Sequence, residues 1–85
     1  MSVRILYFAW VREEVGMAAE TFEPQGPVVD VKGLREQLMA RGAPWNSALA
    51  SGKPVRVSVN HDLARDQTPV KAGDEVAFFP PLTGG

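Results

Sequence analysis

Cysteine is absent from this chain of 85 residues, which removes disulfides, thiolate metal sites and cysteine nucleophiles from consideration. A basic excess is missing as well. Nine Lys and Arg stand against ten Asp and Glu, for a net charge of −1. Nucleic-acid binders carry surplus cations to displace phosphate counterions, so nucleic acid is not an expected partner. Long apolar runs are also lacking. The stretch Ile5-Leu6-Tyr7-Phe8-Ala9-Trp10-Val11 is far too short to span a bilayer. It runs straight into Arg12-Glu13-Glu14 with no small-residue cleavage site, which argues against a signal peptide. The expected location is cytoplasmic, with no membrane partner.

Chemistry-bearing side chains are sparse. His61 is the single histidine; it sits in a turn beside Asp62 with no second ligand in view, so no metal site is expected. Ser47, Ser51 and Ser58 have no base placed by a recognised motif. Asp74 and Glu75 are adjacent, and on a strand they would face opposite ways, which argues against a paired acid/base site. No glycine-rich phosphate loop is present, so the chain is expected to bind no cofactor by itself.

What is there describes one globular domain. Hydrophobic residues make up 45% and charged residues 22% of the chain, an ordinary folded composition. A domain this small buries only about 60–65% of the surface its unfolded chain exposes, so the core is thin and leaves little room for a deep pocket.

Residues 3–10 alternate with both faces apolar: Val3, Ile5, Tyr7 and Ala9 one way, Leu6, Phe8 and Trp10 the other. This predicts a strand in mid-sheet, covered by a helix on one face and by something else, such as a partner, on the other. Arg12–Val15 predicts one helical turn stopped by Gly16. Residues 20–24 predict a short edge strand, with Pro24 suited to an edge. Asp30 is an expected N-cap for the main helix over 31–41. Its stripe is Val31, Leu34 and Leu38, and Arg41-Gly42 supply the stop. Gly33 near its start costs about 1 kcal/mol relative to alanine. A turn of helix is expected at 45–49, then a strand with Val55, Val57 and Val59 inward and Arg56 and Ser58 outward. Asn60-His61-Asp62 and Ala72-Gly73-Asp74 read as turns, and residues 75–79 as the last strand, ended by Pro80-Pro81. The order strand, strand, helix, strand, strand predicts an α+β fold: a mixed sheet on one main helix, its first and last strands side by side.

The chain closes Phe79-Pro80-Pro81-Leu82-Thr83-Gly84-Gly85. Prolines favour an extended path, and two terminal glycines are slim enough to thread a narrow channel and present a bare carboxylate. A terminal Gly-Gly arises by chance about 0.5% of the time; a frayed end is the plain alternative.

Ile5-Leu6-Tyr7-Phe8-Ala9, Val11-Arg12-Glu13, Gly16, the block from Gly73 to Pro81, and Thr83-Gly84-Gly85 resemble the small, sulfur-carrying subunit of molybdopterin synthase over the whole length. Gly33 and Trp10 are the departures, and neither touches the tail. The resemblance implies the β-grasp, ubiquitin-like fold over residues 1–79 and an extended tail over 80–85. It implies a non-catalytic carrier whose Gly85 becomes an acyl-adenylate and then a thiocarboxylate. The implied partners are an ATP-using adenylyltransferase similar to ubiquitin-activating enzymes, a sulfurtransferase, and a large synthase subunit in a heterotetramer. Sulfur would pass to cyclic pyranopterin monophosphate to build the dithiolene. Pro80, Pro81, Leu82, Thr83 and Gly84 would line the partner's channel. Phe8, Leu63 and Phe79 are candidates for an apolar docking patch and Arg12 for a rim ion pair, although Phe8 and Phe79 could equally be core, and the register of Phe78 against Phe79 is open. The competing expectations are a ubiquitin-like modifier joined to lysine, a sulfur carrier of another pathway, and a passive domain with an inert tail.

Overall fold

A computed structural model describes residues 1–50 and 52–81. Its centre is β1 (Val3–Tyr7), paired in parallel with β5 (Glu75–Phe79). Both are short apolar segments, and a strand with neighbours on both sides leaves no backbone donor unpaired. β2 (Ala19–Phe22) adds antiparallel to the free edge of β1, and β3 (Arg56–Val59) antiparallel to β5. β4 (Asp62–Leu63) closes the far edge, so the order is β2-β1-β5-β3-β4. This mixed sheet, with its first and last strands central, is the β-grasp arrangement expected.

One face of the sheet is the core face. Val3, Ile5 and Tyr7 of β1, Val57 and Val59 of β3, and Val76 and Phe78 of β5 are all buried there. They pack on α1 (Ala9–Val15), α2 (Val31–Met39) and α3 (Trp45–Ala48). The α2 stripe Val31, Leu34 and Leu38 is buried as the 3.6-residue period requires. Asp30 caps α2, its Oδ1 accepting from the Gly33 N–H at 2.9 Å. A Cβ on Gly33 would sit 3.3 Å from that same oxygen, so glycine keeps the cap uncrowded. Arg35 of α2 donates from Nε to the Leu49 carbonyl at 2.7 Å, tying the loop after α3 to the main helix.

Several boundaries differ from the sequence reading. β1 stops at Tyr7, not at residue 10, because Ala9 takes a left-handed φ of 52° and turns the chain into α1. Ala9 and Trp10 are therefore helical, not on a strand; Trp10 packs half-buried against the core. α1 is longer than the single expected turn, and Gly16, with φ 87°, ends it as expected. α2 ends at Met39, two residues earlier than expected. Asp62 belongs to β4, which the turn reading missed.

A polar cluster joins three elements. The Tyr7 hydroxyl donates to Glu20 Oε2 at 2.7 Å and accepts from Trp45 Nε1 at 3.1 Å. Arg41 pairs with Glu20 at 3.0 Å and lies 3.8 Å over the Trp45 ring. Burial, and then the Glu20 carboxylate, push the Tyr7 pKa well above its ordinary value near 10. The fold thus holds the phenol proton more tightly than the unfolded chain does. That contribution to stability is complete below pH 10, the unfolded value, and is lost as pH rises from there through the folded value.

Two outcomes follow for stability. Tyr7→Phe removes this alkaline loss, so urea midpoints of wild type and variant converge above pH 10; at neutral pH the variant is less stable by about 1 kcal/mol, having lost one hydrogen-bonded hydroxyl. Ala9→Gly relieves the left-handed alanine, offset in part by a floppier unfolded chain, and raises stability by up to about 1 kcal/mol in the same titration.

Candidate docking face and tail

The second face of the sheet has no helix over it. Alternation along the strands puts Leu6 and Phe8, then Glu75, Ala77 and Phe79, on this side. Register aligns Leu6 with Ala77, Ala77 with Ser58, and Ser58 with Leu63. The middle of that row, Ala77 and Ser58, is therefore made of small side chains, with leucines at its two ends. Larger ones stand around it: Phe8, Phe79 and Leu63, with His61 and Glu75 at one end, line an open trough of about 360 Å³. Leu63 is 68% exposed and Phe8 47% exposed, two of the most exposed large apolar side chains of the described residues. Exposed apolar patches on small proteins are commonly partner sites, which makes this trough the candidate docking face.

Local structure explains how these residues are held out. Phe8 is the N-cap of α1; its N–H pairs with the Phe78 carbonyl at 3.1 Å, and its own carbonyl accepts from Val11 and Arg12. Backbone bonds on both sides fix it, and the left-handed Ala9 lets the chain leave the sheet just beyond. Leu63 is carried by the tight turn Asn60-His61, both with positive φ. Asn60 braces that turn: its Nδ2 donates to Asp74 Oδ1 at 3.0 Å, and its Oδ1 accepts from the Glu75 N–H at 2.9 Å. Hydrogen bonds from Asn60 and from the Lys71 backbone hold the Asp74 carboxyl below the usual carboxylate range.

The open choices between core and surface are now settled residue by residue. Phe78 is fully buried, its ring 6.1 Å from Tyr7, whereas Phe79 is half-buried on the open face. Phe8, Leu63 and Phe79 come together in the trough. Arg12 is exposed on α1 outside it. Leu6, Ala77 and Ser58, which form its floor, were not singled out from sequence. The alternation of β1 and β3 put Leu6 beside Phe8 and Ser58 outward, but β5 is apolar over residues 76–79 and gave no period that could place Ala77. His61, read as a solvated turn residue, is exposed as expected yet lines the trough, with Nε2 3.5 Å from Glu75 Oε1.

Pro80 and Pro81 follow β5 and are half-buried. Leu82, Thr83, Gly84 and Gly85 lie outside the described residues, as does Ser51. Among the described residues no helix is long and apolar enough to cross a membrane, and no group of three or more His, Asp or Glu side chains could hold a metal ion.

A five-stranded mixed sheet with one helix-covered and one bare face, leading from its central strand into a Pro-Pro segment, defines a ubiquitin-like β-grasp protein. Comparison with known proteins narrows this: residues 5–85 match the model of the ThiS family, and the chain belongs to that family. The molybdopterin synthase sulfur carrier subunit of Escherichia coli K12 is 42% identical over 83 residues, covering 98% of this chain and 99% of that protein. Among solved structures, a putative molybdopterin converting factor subunit 1 from Pyrococcus furiosus superposes with a TM-score of 0.79 at 24% identity, covering 96% of this chain and 99% of that one. A protein–protein complex of subunits 1 and 2 of the molybdopterin-converting factor from Helicobacter pylori superposes with a TM-score of 0.64 at 24% identity, covering all of both chains.

The two faces of the sheet should respond differently to truncation. Leu63→Ala changes unfolding free energy by no more than about 0.5 kcal/mol, whereas Ile5→Ala, on the core face, costs about 2–5 kcal/mol. Chemical denaturation of the two variants checks the assignment of faces.

Proposed function

We propose that this chain is the sulfur carrier subunit of a molybdopterin synthase, with Gly85 as the carrier residue. The observation that carries the reading is the 42% identity to a protein of that name over essentially the full length of both chains. A bare apolar face at the root of a Gly-Gly tail agrees with it. The folded body docks, and residues 80–85 enter the partner.

The chemistry begins from an inert group. A carboxylate is a poor acyl donor because oxide is a poor leaving group. An adenylyltransferase similar to ubiquitin-activating enzymes joins the Gly85 carboxylate to the α-phosphate of ATP and releases pyrophosphate. The terminal sulfur of a sulfurtransferase persulfide then attacks the acyl carbon, the bond to AMP breaks, and a thiol reductant cleaves the S–S bond of the resulting acyl disulfide to leave the thiocarboxylate. The large synthase subunit, in a heterotetramer with this chain, receives the tail. The sulfur attacks cyclic pyranopterin monophosphate there, water cleaves the thioester that still joins it to Gly85 and frees the carboxylate, and two such deliveries complete the dithiolene. This chain supplies a slim acyl end and a docking surface, and the partners supply catalysis. The missing cysteine fits the scheme, because sulfur rides on a main-chain acyl group.

Incubation of the intact chain with ATP, the activating enzyme and a sulfur source, followed by mass spectrometry, tests the proposal. The expected product carries one oxygen-to-sulfur exchange on Gly85. Lysine-linked adducts would instead identify a ubiquitin-like modifier, and an unchanged mass an inert tail. Adding one residue after Gly85 should abolish synthase reconstitution; activity that survives the addition without trimming defeats the free-terminus mechanism.

A further inference from the structure

We propose that Arg56 steers docking, meeting a carboxylate that flanks the mouth of the partner's channel. This rests on the sulfur-carrier reading and adds a charged contact to it. Arg56 opens β3 directly opposite Phe79, so it stands on the bare face at the end where the chain leaves the sheet. It is exposed, and its guanidinium makes no ion pair among the described residues.

The bare face is polarised along its strands. At the far end Arg4 stands across from Glu75, whose Oε1 lies 3.5 Å from His61 Nε2, so a carboxylate stands in register with the basic side chains there. The middle row of Leu6, Ala77 and Ser58 carries no charge. At the tail end Arg56 stands across from Phe79, with no carboxylate in register on β5. The root of the tail therefore has an exposed guanidinium beside it on the β3 side.

Two kinds of anion could answer it: carboxylates on the partner's surface, or the phosphates of the molecules that react with the tip. Chain length decides between them. Extended, residues 80–85 span about 20 Å, so when the tip is at the reacting centre a guanidinium at the tail's root is far outside hydrogen-bond range. Carboxylates at the channel mouth are the anions within reach. A rim contact of this kind acts on the rate of encounter and its salt dependence more than on the chemical step.

The test is association of the full chain with the large synthase subunit by stopped-flow, at low and high salt, beside single-turnover sulfur transfer with saturating thiocarboxylate carrier. Arg56→Glu should slow association roughly tenfold at low salt, with the difference closing near 1 M salt, where the screening length is about 3 Å. Arg56→Gln should fall between, and Arg56→Lys should keep most of the rate. Lys71→Glu makes the same change in net charge at the other end of the sheet and should do much less. Saturated transfer should stay at the wild-type rate in every Arg56 variant. Equal losses from Arg56→Glu and Lys71→Glu, unchanged association, or a slowed saturated transfer would each overturn the proposal. If the unaltered chain fails to bind the large subunit, the functional reading falls and this contact with it; binding that ignores Arg56 sinks the contact alone. Arg56→Gln and Arg56→Lys keep the question answerable if charge reversal disturbs the strand.

Discussion

The parallel pairing of β1 with β5 is the constraint on which the rest depends. It joins the two ends of the chain in mid-sheet, so Leu6 lies beside Ala77 and Tyr7 beside Phe78. Every later feature refers to that seam. The core face is built around Ile5, Tyr7, Val76 and Phe78, and the bare face around Leu6, Ala77 and Phe79. The tail leaves from one strand of the seam, and α1 leaves from the other. The Gly73 N–H bonding to the Ser2 carbonyl at 2.7 Å closes the opposite end of the pairing, with Gly73 at a φ of 84° that few other residues adopt.

Division of labour between the two faces accounts for how so small a protein can be both stable and adhesive. A thin core permits only one well-covered side, and the three helices all take it. The other side is left with Ala77 and Ser58 at its middle and large apolar margins, which is costly for a lone monomer and suits the proposed carrier role. Function then asks little of the folded body: a shape that docks and a strand that aims.

Legibility in the sequence followed the strength of local signals. α2 was readable because Asp30, a three-residue stripe and Gly42 all spoke for the same helix. β5 was readable as a strand, yet Val76-Ala77-Phe78-Phe79 is apolar throughout, so no alternation could tell Phe78 from Phe79. Only pairing with Val57 and Arg56 decides it. Ala9 concealed the break after β1, since alanine gives no sign of a left-handed turn where a glycine would have. β4 is two residues long and carries no period at all. For the site, Phe8, Leu63 and Phe79 could be picked out by size, and alternation put Leu6 and Ser58 on outward faces, but Ala77 and the alignment of all three into one floor come only through register.

The placement of the tail on the middle strand has a mechanical corollary. A pull along residues 80–81 loads β5 lengthwise between β1 and β3, so the hydrogen bonds on its two sides share the load in shear instead of opening one by one as they would at an edge. In the proposed role, a partner that grips and draws the end of this chain would leave the body in shape, and release would be governed by the grip and not by unravelling of the sheet.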